Sequence, residues 1–202
     1  MRPSLLPVKP ISQLAPKPMI MGCEGVAAAM ILQYNHHSIP ASDLMKQWPT
    51  HPDNPEIGYV GHPLMIKPGV HQTIFPSALV PYLQQFDSAI IDGSGQPLSY
   101  LETVLDGGQP VMLYHTHLGV PPMRRRFKTS SGLKHWVSNI HVTVLIGYDD
   151  RYYYFIDPLW MQFHQLLLPA LWPSKRQIHR MRKQQLTKSY DAPGRMCLYK
   201  QS

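Results

Sequence analysis

A chain of 202 residues that is 44% apolar can bury one good core, and nothing in it calls for two domains of ordinary size, so residues 1–202 are read as a single domain. With 21 prolines, 13 glycines and only 15% charged residues it should be rich in turns, yet its apolar and aromatic content excludes disorder. The net charge of +7 and pI near 9.4 permit attraction to anionic partners, but no nucleic-acid-binding motif or basic stripe with interleaved aromatic residues accompanies them, so no specific nucleic-acid role is expected.

Residues 1–22 carry Pro3, Pro7, Pro10, Pro16 and Pro18, which repeatedly exclude helix and predict an extended arm lying on the domain. From Cys23 to about Tyr34 the run CEGVAAAMILQY has few polar breaks and predicts a helix buried on most of its circumference. A short helix follows over Asp43 to Trp48, with Ser42 as its cap and Pro49 as its stop. Residues 49–73 show no periodicity and read as loop. SALVPYLQQF and LSYLETVLDGG space apolar residues at helical intervals, the first starting late or kinked because of Pro81, the second ending at Gly107.

After Gly108 the pattern changes to sheet. PVMLYHTH, HVTVLIGY and RYYYFID are rich in β-branched and aromatic residues, with a hairpin turn over Gly147 to Arg151 between the last two; QFHQLLL and RMCLY add candidate strands. Helices first and antiparallel strands second is an α+β pattern. Two basic clusters interrupt it: Arg124, Arg125, Arg126 and Lys128, read as a flexible loop that favours acidic substrates, and Lys175, Arg176, Arg180, Arg182, Lys183 and Lys188, read as an inserted or divergent element.

Cys23 and Cys197 lie at opposite ends with no paired spacing, which supports neither a disulfide nor a cysteine zinc site. Cys197, inside a strand-like run, reads as a small buried hydrophobe. His115 and His117 would share a strand face, but no acidic or cysteine ligand accompanies them, so neither a metal nor any other cofactor is expected. No stretch approaches the roughly 20 apolar residues that a membrane span needs, and MRPSLLPVKP lacks the apolar core of a signal peptide. The chain as it stands is expected in the cytoplasm, or outside the cell if an export segment has been removed.

Chemistry concentrates in three places. Cys23 falls at a helix start, where unpaired amides and the positive end of the macrodipole favour a thiolate. His141 opens one strand and Asp157 closes the next; with a turn at Asp149 and Asp150, the 16-residue step between them brings the carboxylate back beside the imidazole. The order of thiol, base and orienting carboxylate suggests nucleophilic catalysis. Trp136, near His141 in sequence, is a candidate wall of the cleft.

Gly22-Cys23-Glu24, Gly58-Tyr59-Val60-Gly61, His141 with Gly147-Tyr148-Asp149, and Asp157-Pro158 together resemble the signature blocks of papain-like bacterial cysteine peptidases. The likeness is to the stand-alone relatives of the bacteriocin-leader-processing domains, and it spans roughly residues 11–160. The resemblance implies a papain-like α+β fold with the nucleophile helix packed on an antiparallel sheet. It further implies Cys23 as nucleophile, His141 as base, Asp157 as orienter and Gln13 as the side-chain donor to the oxyanion, acting on a peptide or protein substrate. Where the family usually places hydroxyl residues after Cys-Glu, this chain has Gly25, Val26 and Ala27. That departure leaves open a non-catalytic module binding a peptide or an anionic cell-wall polymer, and an amidase or acyltransferase is a further alternative.

Overall fold

The computed structural model describes residues 4–14, 18–159 and 177–201. Helices α1 (Cys23–Tyr34), α2 (Ala41–Gln47) and α3 (Pro76–Leu83) come first. Strand β1 (Ser4–Leu5) precedes them; β2 (Ile90–Asp92) and α4 (Leu98–Asp106) follow. Then come β3 (Val111–Thr116), β4 (Arg124–Thr129), β5 (Gly132–Val137), β6 (Ile140–Tyr148), β7 (Tyr152–Ile156), β8 (Ile178–Arg182), α5 (Lys183–Asp191) and β9 (Cys197–Lys200). The main sheet is antiparallel in the order β2-β9-β3-β6-β7-β8, with β1 added alongside β6, while β4 and β5 form a separate two-stranded ribbon.

Both faces of the sheet are covered, which explains why β3 and β6 read as continuous apolar runs rather than alternating ones. On one face Met112, Tyr114, Val142, Val144 and Ile146 pack under α1, α2 and α3; on the other, Val111, Leu113, Leu145, Phe155 and Cys197 pack under α4 and α5. Residues Val26 to Leu32 of α1 are at most 1% exposed, so this helix sits inside the molecule as its all-round apolar sequence requires. Cys197 is the buried hydrophobe expected of it.

The N-terminal arm is tied down by backbone pairing. Ser4 and Leu5 face Tyr148 and Gly147, and the Leu6 N–H donates to Ile146 O at 2.8 Å. Gly147 permits this, because a Cβ there would stand 2.6 Å from the Ser4 carbonyl oxygen.

Several elements depart from the sequence reading. Helix α2 begins at Ala41 with Pro40 in the capping position, so Ser42 lies inside the first turn; the fixed φ of proline suits a helix entry. The Arg124 to Lys128 cluster is strand β4, not a loop. The second basic cluster contributes β8 and α5, where Met181, Leu186, Ser189 and Tyr190 turn inward. His117 lies just past β3, in a 3₁₀ turn. QFHQLLL, Lys175 and Arg176 lie outside the described residues.

Candidate active site

The site forms where the start of α1 meets the start of β6 and the end of β7. The register pairs Val144 with Ile156 and Leu145 with Phe155. Extended by one residue, it places Asp157 opposite Thr143, on the sheet face that His141 shares two residues away. The turn between the strands is held by Asp149, whose Oδ1 accepts the N–H groups of Arg151 and Tyr152, each at 2.7 Å. His141 Nε2 lies 2.7 Å from Asp157 Oδ1, and both residues are buried. That contact assigns the proton to Nε2 and leaves Nδ1 as the ring's acceptor.

Asp157 is fixed from several sides. Its Oδ1 also accepts the Leu159 N–H at 2.8 Å, and its backbone N–H donates to Gln177 O at 2.9 Å. Burial alone raises a carboxyl, but the hydrogen bond and charge of His141, with the Leu159 amide, outweigh it and hold Asp157 below the ordinary range. Behind His141 stands His115, paired with it across β3 and β6 and bonded to Thr143 Oγ1 at 3.1 Å. Burial and the neighbouring His141 push His115 down to about 3, so it is a neutral support. His117 packs its ring 4.8 Å from that of His141.

Cys23 is the first residue of α1 and is partly exposed toward the cleft. Its thiol donates to Glu24 Oε2 at 3.2 Å, and Glu24 Oε1 accepts from Thr73 Oγ1. Glu24 is buried, and burial raises its carboxyl against the opposing Thr73 bond. The surroundings of the sulfur work against the thiolate expected from the helix start. Packing around the sulfur, then the adjacent Glu24 charge and hydrogen bond, push the Cys23 thiol well up, while the Val142 backbone N–H pulls the other way. Dense packing and an adjacent carboxylate thus oppose the ionisation that a helix start favours.

Gln13 is buried and reaches this place because its N–H donates to Pro158 O at 2.8 Å, next to Asp157. Its Nε2 donates to Ile20 O at 2.7 Å, leaving the amide's second N–H uncommitted among the described residues. Gln13, Cys23, Glu24 and His141 all line one cleft of about 590 Å³. A groove of about 480 Å³ at the other end of α1 contains neither thiol nor carboxylate in its lining. Trp136 does not line the cleft: it packs edge-on against His71 and Phe75 and tilted against Phe127 in an aromatic cluster. Among the described residues no cluster of three or more His, Cys, Asp or Glu could hold a metal.

Glu24 and Thr73 escape the sequence reading, although Glu24 lies in the Gly-Cys-Glu block itself. Thr73 ends a stretch without periodicity, and it is placed by the Val60 N–H donating to its carbonyl at 3.0 Å. A hydroxyl therefore does reach the start of α1, from a distant segment rather than from positions 25–27.

A buried helix that begins at Cys23 packs on an antiparallel sheet whose β6 and β7 carry the His141–Asp157 pair, and this mixed helix-and-sheet architecture matches a C39-like peptidase fold. The chain belongs to the Peptidase C39-like family, whose sequence model matches residues 5–167. The uncharacterized protein YvpB of Bacillus subtilis strain 168 is 28% identical over 149 residues, covering 68% of this chain and 58% of that protein. A crystal structure from Bacillus anthracis, assigned to the C39-like peptidases, matches with a TM-score of 0.84 over 100% of this chain and 98% of that one. Identity to it is 20%, so that likeness is one of fold.

Proposed function

We propose that the protein is a cysteine peptidase or amidase that cleaves its substrate through Cys23, His141 and Asp157. The observation that carries this reading is the buried 2.7 Å contact of His141 with Asp157, in the cleft onto which Cys23 opens. At rest Cys23 is held as a thiol by Glu24 and by packing, so proton removal accompanies attack instead of preceding it. His141 Nδ1 takes the thiol proton and sulfur bonds to the carbonyl carbon. The resulting imidazolium is stabilised by Asp157. The oxyanion is met by the Cys23 backbone N–H, which as a first-turn amide has no intrahelical acceptor, and by the uncommitted N–H of Gln13. Collapse of the tetrahedral species breaks the C–N bond, with His141 returning the proton to the leaving amine. Water activated by His141 then hydrolyses the acyl-thioester.

The test is turnover of a peptide mixture together with thiol labelling. Iodoacetamide should modify Cys23, which opens on the cleft, far faster than Cys197, which is fully buried. Cys23→Ala should abolish product formation. The hydrogen bond that keeps Cys23 protonated favours one second reading, peptide binding without cleavage. Equal labelling of the two thiols, or binding with no turnover in the native protein, decides for it.

A further inference from the structure

The cleft has an uneven wall chemistry. Arg125 and Arg126 of β4 line one side and Lys67 the other, all exposed, and among the described residues none of the three has a carboxylate partner. The one acidic residue in the lining, Glu24, is buried with both carboxylate oxygens engaged. The same lining holds exposed apolar side chains, Ile20 at 48%, Ile66 at 72% and Met123 at 50%. Exposed apolar surface beside unpaired cations marks a binding surface more than a solvated face.

The backbone adds a shape. Arg125, Arg126 and Phe127 are consecutive, and successive strand residues point to opposite faces. All three can line one cleft only if the cleft abuts the edge of β4, and β4 pairs with β5 on its other side alone. The facing wall is the continuous segment from Ile66 to Thr73. The two walls are tied together by His71, whose Nε2 bonds Val137 O at 2.9 Å and whose ring packs on Phe127. The ribbon is anchored further by Lys134 to Glu56 at 2.7 Å and by the Ser130 N–H to Asp53 at 2.8 Å. The result is a braced trough with an open strand edge, in the cleft that Cys23 also lines.

Resting on the peptidase reading, we propose that the substrate is an extended peptide carrying acidic side chains beside apolar ones. It lies along the edge of β4, with its carboxylates on Arg125, Arg126 and Lys67. Backbone pairing to β4 would hold the chain extended, and the arginines would take the carboxylates in charge-assisted hydrogen bonds. Arg124 has another place: it points toward the end of α5, its Nη2 3.4 Å from Ala192 O, and does not line this cleft.

The experiment uses matched peptides differing only in Glu against Gln, with kcat/KM measured for each and expressed as a ratio. The native protein should favour the acidic member by about tenfold or more through KM, the effect of at least one charged hydrogen bond. Arg125→Glu with Arg126→Glu should collapse or invert that ratio. Arg124→Glu with Lys128→Glu, an equal change in net charge outside the cleft, should leave it intact. Binding of the same peptides to the Cys23→Ala variant is measured in parallel with phosphatidylglycerol vesicles and polyphosphate. Equal effects of the two double variants, or equal loss of all three anions, would show bulk electrostatics and overturn the proposal. Peptides cleaved without regard to acidity also overturn it while leaving the peptidase reading standing. Selective binding of acidic peptide without any cleavage does the reverse.

Discussion

Replacing Asp157 separates two roles that its carboxylate combines, orientation of His141 and stabilisation of the imidazolium. Asp157 Oδ1 is held by two donors, His141 Nε2 at 2.7 Å and the Leu159 N–H at 2.8 Å. In Asp157→Asn the amide must keep its oxygen toward both, since turning the NH2 inward would set donors against the Leu159 amide. The imidazole then retains its tautomer, and only the charge is lost. A charged hydrogen bond contributes about 1–1.5 kcal/mol more than a neutral one, so kcat/KM should fall about tenfold. Asp157→Ala removes the acceptor altogether and leaves the buried imidazolium uncompensated, a cost of about 3–5 kcal/mol and a fall of roughly 10²–10³ or more. Steady-state kinetics on one peptide, with melting temperatures as a folding control, provide the assay. Equal losses for Asn and Ala in folded proteins would refute the argument that Leu159 pins the oxygen.

Removing the anionic neighbour of the thiol by Glu24→Gln should move the alkylation profile of Cys23 to lower pH; an unchanged profile would mean that Glu24 does not hold the proton. His71 is buried, and burial pushes it from 6.5 down to about 4, against the Val137 bond. A group lowered in the folded state binds fewer protons there, so its stabilisation is complete above pH 6.5 and is lost as pH falls toward 4, on the order of 3 kcal/mol. Urea unfolding at pH 7.5 and 5 should show about 2 kcal/mol of this loss in the native protein and a shallower fall in His71→Phe, and equal slopes would count against it. Gly25→Ala places a Cβ 2.4 Å from Met45 Cγ, pressing α1 against α2. The strain, about 1–3 kcal/mol, should lower the melting temperature by roughly 2–12 °C, less the gain in helix propensity, and the same substitution made in a Met45→Ala background should cost less than in the native chain.

What was legible in the sequence were the segments that are mostly buried. Helix α1 and strands β3, β6 and β7 carry apolar residues on all sides, and the hairpin between β6 and β7 fixed the meeting of His141 and Asp157 by length alone. The β4–β5 ribbon was not legible: RRRFKT and GLKHWV bury only Phe127, Thr129 and Val137, and their partners lie in the 49–75 segment rather than in the sheet. Helix α5 left a fainter signal, Leu186, Ser189 and Tyr190 at helical spacing within a run dominated by charge. The state of the Cys23 thiol depends on Glu24, Thr73 and the packing of β6, none of which helix position alone could reveal.

The most direct test of the central claim is acid quenching during turnover of a peptide ester, followed by intact mass spectrometry and mapping of the adduct. The account requires a single acyl group on Cys23, accumulating before product release and absent in Cys23→Ala. Hydrolysis that proceeds with no acyl adduct, and that survives Cys23→Ala, would contradict it.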